Sequence, residues 1–192
     1  MRKPIHAIIF VSMASVAMAG YLIWSSMYAS SIESALREEV KRRNAAAVNK
    51  NPTAAEVELQ FSYDGRGEYK YTLRNVGKRD LMVVHPSYTL TIFFYFYDWR
   101  GQLLELRNKI AMTLPRPGSF GGDAGFRSLY TLRAGDAWTV PCRDDQLNRH
   151  FEGMKDVKYV VAYYSADHRV TEDELADYDL RGVVLSGGPV RR

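Results

Sequence analysis

Residues 4–32 contain no Asp, Glu, Lys or Arg, and residues 5–29 within that run are mostly apolar. A helix needs about 20 such residues to cross a bilayer, so this stretch is read as a membrane helix or a removed leader. Tyr21, Trp24 and Tyr28 gather at one end of it, as aromatic residues do at a membrane–water boundary. Arg2-Lys3 in front, with Ala17-Met18-Ala19 before Gly20, also fit a signal peptide cleaved after Ala19, which would make the protein secreted. Tyr21-Leu22-Ile23-Trp24 prolongs the apolar run past that point and favours a retained, single-pass anchor over residues 1–30. Membrane lipid, met through residues 5–29, is thus the first expected partner.

Charge is distributed in keeping with an anchor. Residues 1–51 hold seven of the 26 Lys/Arg and three of the 22 Asp/Glu, which leaves 19 of each for residues 52–192. A nucleic-acid-binding domain would gather positive charge on itself, so none is expected to bind here. The excess lies instead beside the apolar run, where lipid headgroups would be. Arg37, Lys41, Arg42 and Arg43 follow the run while only Arg2 and Lys3 precede it, so basic residues alone do not orient the anchor. The short basic N-terminal tail and the scarcity of cysteine place the domain outside the cytosol, periplasmic or extracellular. Cys142 is alone, which excludes an intramolecular disulfide; ending the alternating run Ala137-Trp138-Thr139-Val140, it is expected to be buried and inert.

Residues 31–51 read as a helical connector. Ile32, Ala35, Leu36, Val40 and Ala47 recur at helical steps, and Asn49, Asn51 and Pro52 stop the pattern. The apolar stripe is thin, and the expectation is a solvated stalk that sets the height of the domain.

At Glu56 the period changes to two. Val57, Leu59, Phe61 and Tyr63 alternate with polar residues, Asp64-Gly65-Arg66-Gly67 supplies a turn, and Tyr69, Tyr71 and Leu73 alternate in turn, predicting a hairpin. Further strands are expected at 81–85, 88–97, 102–107, 126–132, 136–141, 157–165 and 179–186, with a short helix at 144–152 opened by an acidic N-cap. Many short strands separated by Gly, Asn and Asp turns argue for a mainly β fold, an antiparallel β-sandwich over residues 52–192. The succession Asn75-x-Gly77, Asp98-x-x-Gly101, Gly135-Asp136, Tyr159–Tyr163 and Leu180–Ser186 resembles the turn and strand order of bacterial immunoglobulin-like domains. The disulfide and intervening tryptophan of antibody domains are absent.

No reaction-type motif stands out. His6, His85, His150 and His168 have no ligand-like spacing, and there is no nucleophile elbow, phosphate loop or dinucleotide fingerprint. An anchor followed by an immunoglobulin-like domain is similar in layout to the copper chaperones of cytochrome oxidase assembly. The Cys-x-Cys pair on which their Cu(I) chemistry depends is missing. Glu172, Asp173, Glu174, Asp177 and Asp179 lack calcium-loop spacing and read as a solvated acidic loop. No cofactor is expected.

Phe93, Tyr95 and Tyr97 form an aromatic row on the second face of the 88–97 strand. With Phe120 of the glycine-rich loop 114–125, they are the candidate partner-binding residues. A cover over that row, from the loop or the 144–152 helix, would instead make it core. The expected function is a non-enzymatic, membrane-anchored interaction module that docks a protein partner. One alternative is a proteinase-inhibitor-like or substrate-capturing module using residues 114–125. Another is an enzyme or metal-handling site in which His85, His150 or His168 meets Asp167 only in three dimensions.

Overall fold

The computed structural model describes residues 4–86, 91–106 and 129–192, with the side chains of residues 4–16 and His168 excepted. One helix, α1 (Pro4–Lys50), precedes the strands β1 (Val57–Tyr63), β2 (Glu68–Asn75), β3 (Leu81–Val84), β4 (Ile92–Tyr97) and β5 (Leu103–Leu104). Then come β6 (Leu129–Leu132), β7 (Ala137–Arg143), the short helix α2 (Asp144–His150), β8 (Tyr159–Tyr164) and β9 (Leu185–Arg191). All pairings are antiparallel, in three sheets of order β1-β2-β7, β3-β6 and β5-β4-β8-β9. The protein is therefore mainly β with an N-terminal helix.

Alternation does what its period implies in the first sheet. The inward residues Val57, Leu59 and Phe61 of β1 and Tyr69, Tyr71 and Leu73 of β2 are buried, and the residues between them face outward. Strand β8 is different: five of its six residues, Tyr159–Tyr164, are buried, because it lies between β4 and β9 and is covered on both faces. One core joins these strands with Leu81, Val83, Leu132 and Leu147. Cys142 sits in it fully buried, and burial pushes its thiol up to about 12. A thiol-specific reagent at pH 8 should leave Cys142 unmodified in the folded protein and label it fully in denaturant, as a mass shift would report.

One expectation about the helix needs correction. Residues 31–50 are not a solvated stalk: Ile32, Leu36 and Val40 are buried against Tyr97, Tyr159 and Val161, and Ala47 joins the main core. Ala35, which the sequence pattern grouped with them, faces outward. Among the described residues no helix is long and apolar enough to cross a membrane. The helix stop is where the sequence puts it. Asn51 accepts the Thr53 amide through Oδ1 at 3.0 Å and donates through Nδ2 to the carbonyl of Asp179 at 2.9 Å.

The last strand also differs from its expected place. Residues 179–182 make turns, with the Val183 amide bonded to the Leu180 carbonyl, and Gly182 at φ +71° donates its amide to the Asp167 carboxylate at 2.9 Å. Strand β9 starts only at Leu185 and runs through Gly187-Gly188-Pro189. An edge position tolerates the proline. Gly187 has a separate reason: a Cβ there would lie 2.6 Å from the Leu59 carbonyl oxygen, where β9 crosses against β1.

Candidate partner-binding site

The aromatic row lies at the seam between α1 and the four-stranded sheet. Helix α1 climbs the sheet face in a defined register. At its lower end the Tyr159 hydroxyl donates to the Ala29 carbonyl at 3.2 Å. Higher up, the Arg43 guanidinium lies 4.4 Å over the Tyr95 ring, a cation–π contact. Above that, Asn44 bonds the Ser186 backbone twice, donating to its carbonyl at 2.9 Å and accepting its amide at 2.7 Å, as a neighbouring strand would.

Tyr97 is consequently buried beneath the helix, while Phe93 and Tyr95 are half-buried. The Phe93 and Tyr95 rings both stack on Tyr163, at 5.2 and 4.7 Å. The cover over the row is thus α1, and neither the 114–125 loop nor α2 needs to supply it. Phe120 and the whole 114–125 loop lie outside the described residues. Desolvation raises Tyr97 and lifts Tyr163 to about 12, so both rings are neutral phenols at physiological pH. Arg43 is also held by Glu39, which Arg42 and then Arg43 bind at 2.8 Å and depress to about 2. The exposed top of the seam is therefore a neutral aromatic patch edged by a fixed cation.

Beside this seam a groove of about 560 Å³ opens between α1 and β1, floored by Gly187, Gly188 and Pro189 of β9. Glu33, Arg37, Val40 and Asn44 form one wall; Glu58, Gln60 and Ser62 of β1 form the other. Strands β1 and β9 are each the edge of their sheet, and this is where those edges meet. Sequence patterns could not find this groove, because it is built from three elements distant in the chain.

The other candidate groups are engaged structurally. His85 packs its ring 4.8 Å from Trp138 and 6.4 Å from Tyr130. Asp167 is committed to the Gly182 amide through both oxygens. His150 ends α2, and the His168 side chain lies outside the described residues. Of the acidic loop, Asp179 pairs with Arg79 at 2.9 Å and accepts the Met82 amide at 2.6 Å, while Tyr178 is buried. Asp144 does not cap α2 as expected. It is the first helical residue, its carboxylate takes Arg192 at 2.7 Å and the Tyr69 hydroxyl at 3.2 Å, and Gln146 accepts the Arg143 amide instead. Among the described residues no three His, Cys, Asp or Glu side chains stand together in a way that could hold a metal ion.

No protein-family model matches the chain, and no curated protein or solved structure matches it significantly.

Proposed function

We propose that the protein is a membrane-anchored, non-enzymatic interaction module: an immunoglobulin-like β-sandwich, held outside the cytosol, that docks a protein partner at the membrane surface. The observation that carries this reading is the contrast between the two halves of α1. Met18, Tyr21, Leu22, Ile23, Trp24 and Met27 are each 58–70 % exposed. At about 100° per residue they point in every direction around the helix, so no single apolar face could be turned to a protein core. A helix apolar on all sides belongs in lipid or in another protein, and a patch of this kind does not stay in water. From Ile32 on, the same helix is amphipathic and bound to the sheet.

The uncharged run in the sequence reaches back to Pro4. At about 1.5 Å per residue, the helix from Pro4 to Tyr28 reaches roughly 37 Å, which matches a hydrocarbon core of about 30 Å in length. The anchoring reading takes this length together with the charge-free run, since the described residues alone are not apolar enough to cross. Because one unbroken helix is both anchor and part of the domain, the module is held at a set height and tilt. The sandwich reading is supported by the crossing of β9 against β1, which brings the edges of the three- and four-stranded sheets together. The Phe93–Tyr95–Tyr163 patch and the adjoining groove are the surfaces offered to a partner. The non-enzymatic reading rests on the structural engagement of Asp144, Asp167 and Asp179, which leaves these carboxylates bound to neighbouring groups.

Cross-linking of the tagged full-length protein in native membranes, followed by alkaline extraction and mass spectrometry, tests this reading. The expected result is retention in the alkali-resistant membrane fraction, with a partner linked to residues of the groove or the aromatic patch. Recovery in the soluble fraction, or membrane retention with no reproducible partner, would overturn the anchor or the docking role respectively.

A further inference from the structure

The lower end of the four-stranded sheet carries a second feature beside the apolar half of α1. The turn between β4 and β5, residues 98–101, packs directly against the helix: a Cβ on Gly101, at φ +75°, would lie 2.9 Å from Cγ2 of Ile32. The approach fixes the turn so that the Trp99 ring stands 6.1 Å from Tyr28, itself stacked at 5.5 Å on Trp24, which lies 6.4 Å from Tyr21. Trp99 thus continues an aromatic series from the anchor onto the β domain while remaining 53 % exposed, and Leu103 beside it is 54 % exposed. Arg100 lies 4.7 Å over the Trp99 ring.

Basic side chains surround this end. Lys158 donates its amide to the Tyr97 carbonyl at the foot of β4, and Lys155 and Lys158 line a recess with Trp99. Arg191, at the end of β9, lines another with Ser26 and Ser30 of α1. Three acids share these recesses: Asp98, whose Oδ1 accepts the Arg100 and Gln102 amides at 2.8 Å, the exposed Asp156, and Glu33, which Arg37 pairs at 2.6 Å; the basic side chains outnumber them. Indole rings prefer the headgroup level of a bilayer, and basic side chains near its surface gain about 1 kcal/mol each from anionic lipid.

We infer that the β4–β5 turn is a second membrane contact, a foot that places Trp99 and Leu103 at the headgroup level while Arg100, Lys155, Lys158 and Arg191 bind anionic lipid headgroups. This rests on the anchoring reading above and adds lipid class and domain orientation to it: the four-stranded sheet stands with its lower edge on the bilayer. The groove, whose lining includes Arg191, then opens beside the foot.

Single-tryptophan variants of the full chain separate the two readings. Trp24→Phe with Trp138→Phe leaves only Trp99; Trp99→Phe with Trp138→Phe leaves only Trp24. Each is reconstituted into phosphatidylcholine vesicles with or without phosphatidylglycerol, containing a headgroup-spin-labelled lipid as quencher. The expected result is lipid quenching of Trp99, at least threefold stronger with phosphatidylglycerol, and loss of that increment in Arg100→Glu with Lys158→Glu. Lipid quenching of Trp24 while Trp99 responds only to aqueous iodide would overturn the foot and leave the anchor standing. Equal Trp99 quenching in both lipid mixtures would overturn the anionic preference. Absence of quenching at both tryptophans would overturn foot and anchor together.

Discussion

Asn75→Ala should lower the melting temperature by roughly 6–12 °C, the equivalent of about 3 kcal/mol in a chain of this size. Asn75 is fully buried at the end of β2. Its side-chain amide donates to the carbonyls of Arg79 at 2.8 Å and Leu132 at 2.9 Å, and its Oδ1 accepts the Gly77 amide at 2.9 Å. Its own backbone is bonded to Asp136 and Gly135. One residue therefore holds the β2–β3 turn, the end of β6 and the approach to β7. Alanine would leave the Leu132 carbonyl buried without this donor, and an orphaned buried group costs more than a hydrogen bond gains. The Gly77 amide retains a bond to the Glu56 carbonyl, which limits the loss.

Asn75→Asp separates this account from a simple volume effect. A carboxylate keeps the bond from Gly77 but faces two carbonyls it cannot donate to, so its folded pKa should rise above the unfolded value. The sign follows: the protonated form can donate one bond, so the variant should be least defective at acidic pH and lose further stability as pH rises through the folded pKa. Thermal melts across pH 4–8 would show it. A parallel fall of wild type and variant with pH would contradict the assignment.

The second large effect is expected at the seam. Leu36→Asp should release the helix from the sheet: amide exchange over residues 31–43 should accelerate by about a hundredfold while β4 and β8 stay protected. Leu36 lies buried among Ile32, Val40, Tyr97, Tyr159 and Val161. Removing a buried leucine costs about 2–5 kcal/mol, and a carboxylate placed in that apolar contact has no cation within it to pair with. Ala35→Asp is the control, because Ala35 shares the sequence stripe but faces outward, and it should leave exchange unchanged. Equal acceleration in both variants would mean that helix propensity, and not docking, governs protection. If the module is anchored as proposed, Leu36→Asp would stay in the membrane while losing the fixed orientation of its domain.

What could be read from the sequence and what could not divide along a physical line. The β1–β2 hairpin, the place of α2, the helix stop at Asn51 and the burial of Cys142 are local in origin. Each follows from a period of two, a turn or cap residue, or an apolar neighbour within a few positions. Asn75 was legible as a turn residue, but its role in joining β2 to Leu132 was not, since its bonding partner is 57 positions away.

The stripe Ile32, Leu36, Val40 and Ala47 was visible as a pattern, yet the same pattern serves a solvated helix, a coiled coil or a docked one. Burial belongs to two surfaces, and the second surface, Tyr97, Tyr159 and Val161, is assembled from β4 and β8. For the same reason the aromatic row could be seen but not its cover. Strand β9 was misplaced because Gly187-Gly188-Pro189 carries loop chemistry; only contact with the Leu59 carbonyl makes glycine necessary there. The sequence by itself determined the periods, the turns and the uncharged N-terminal run, all of which are short-range properties of the chain. Tertiary structure alone decided that this helix would be bound to a sheet from Ile32 on, because burial exists only where distant strands meet the helix.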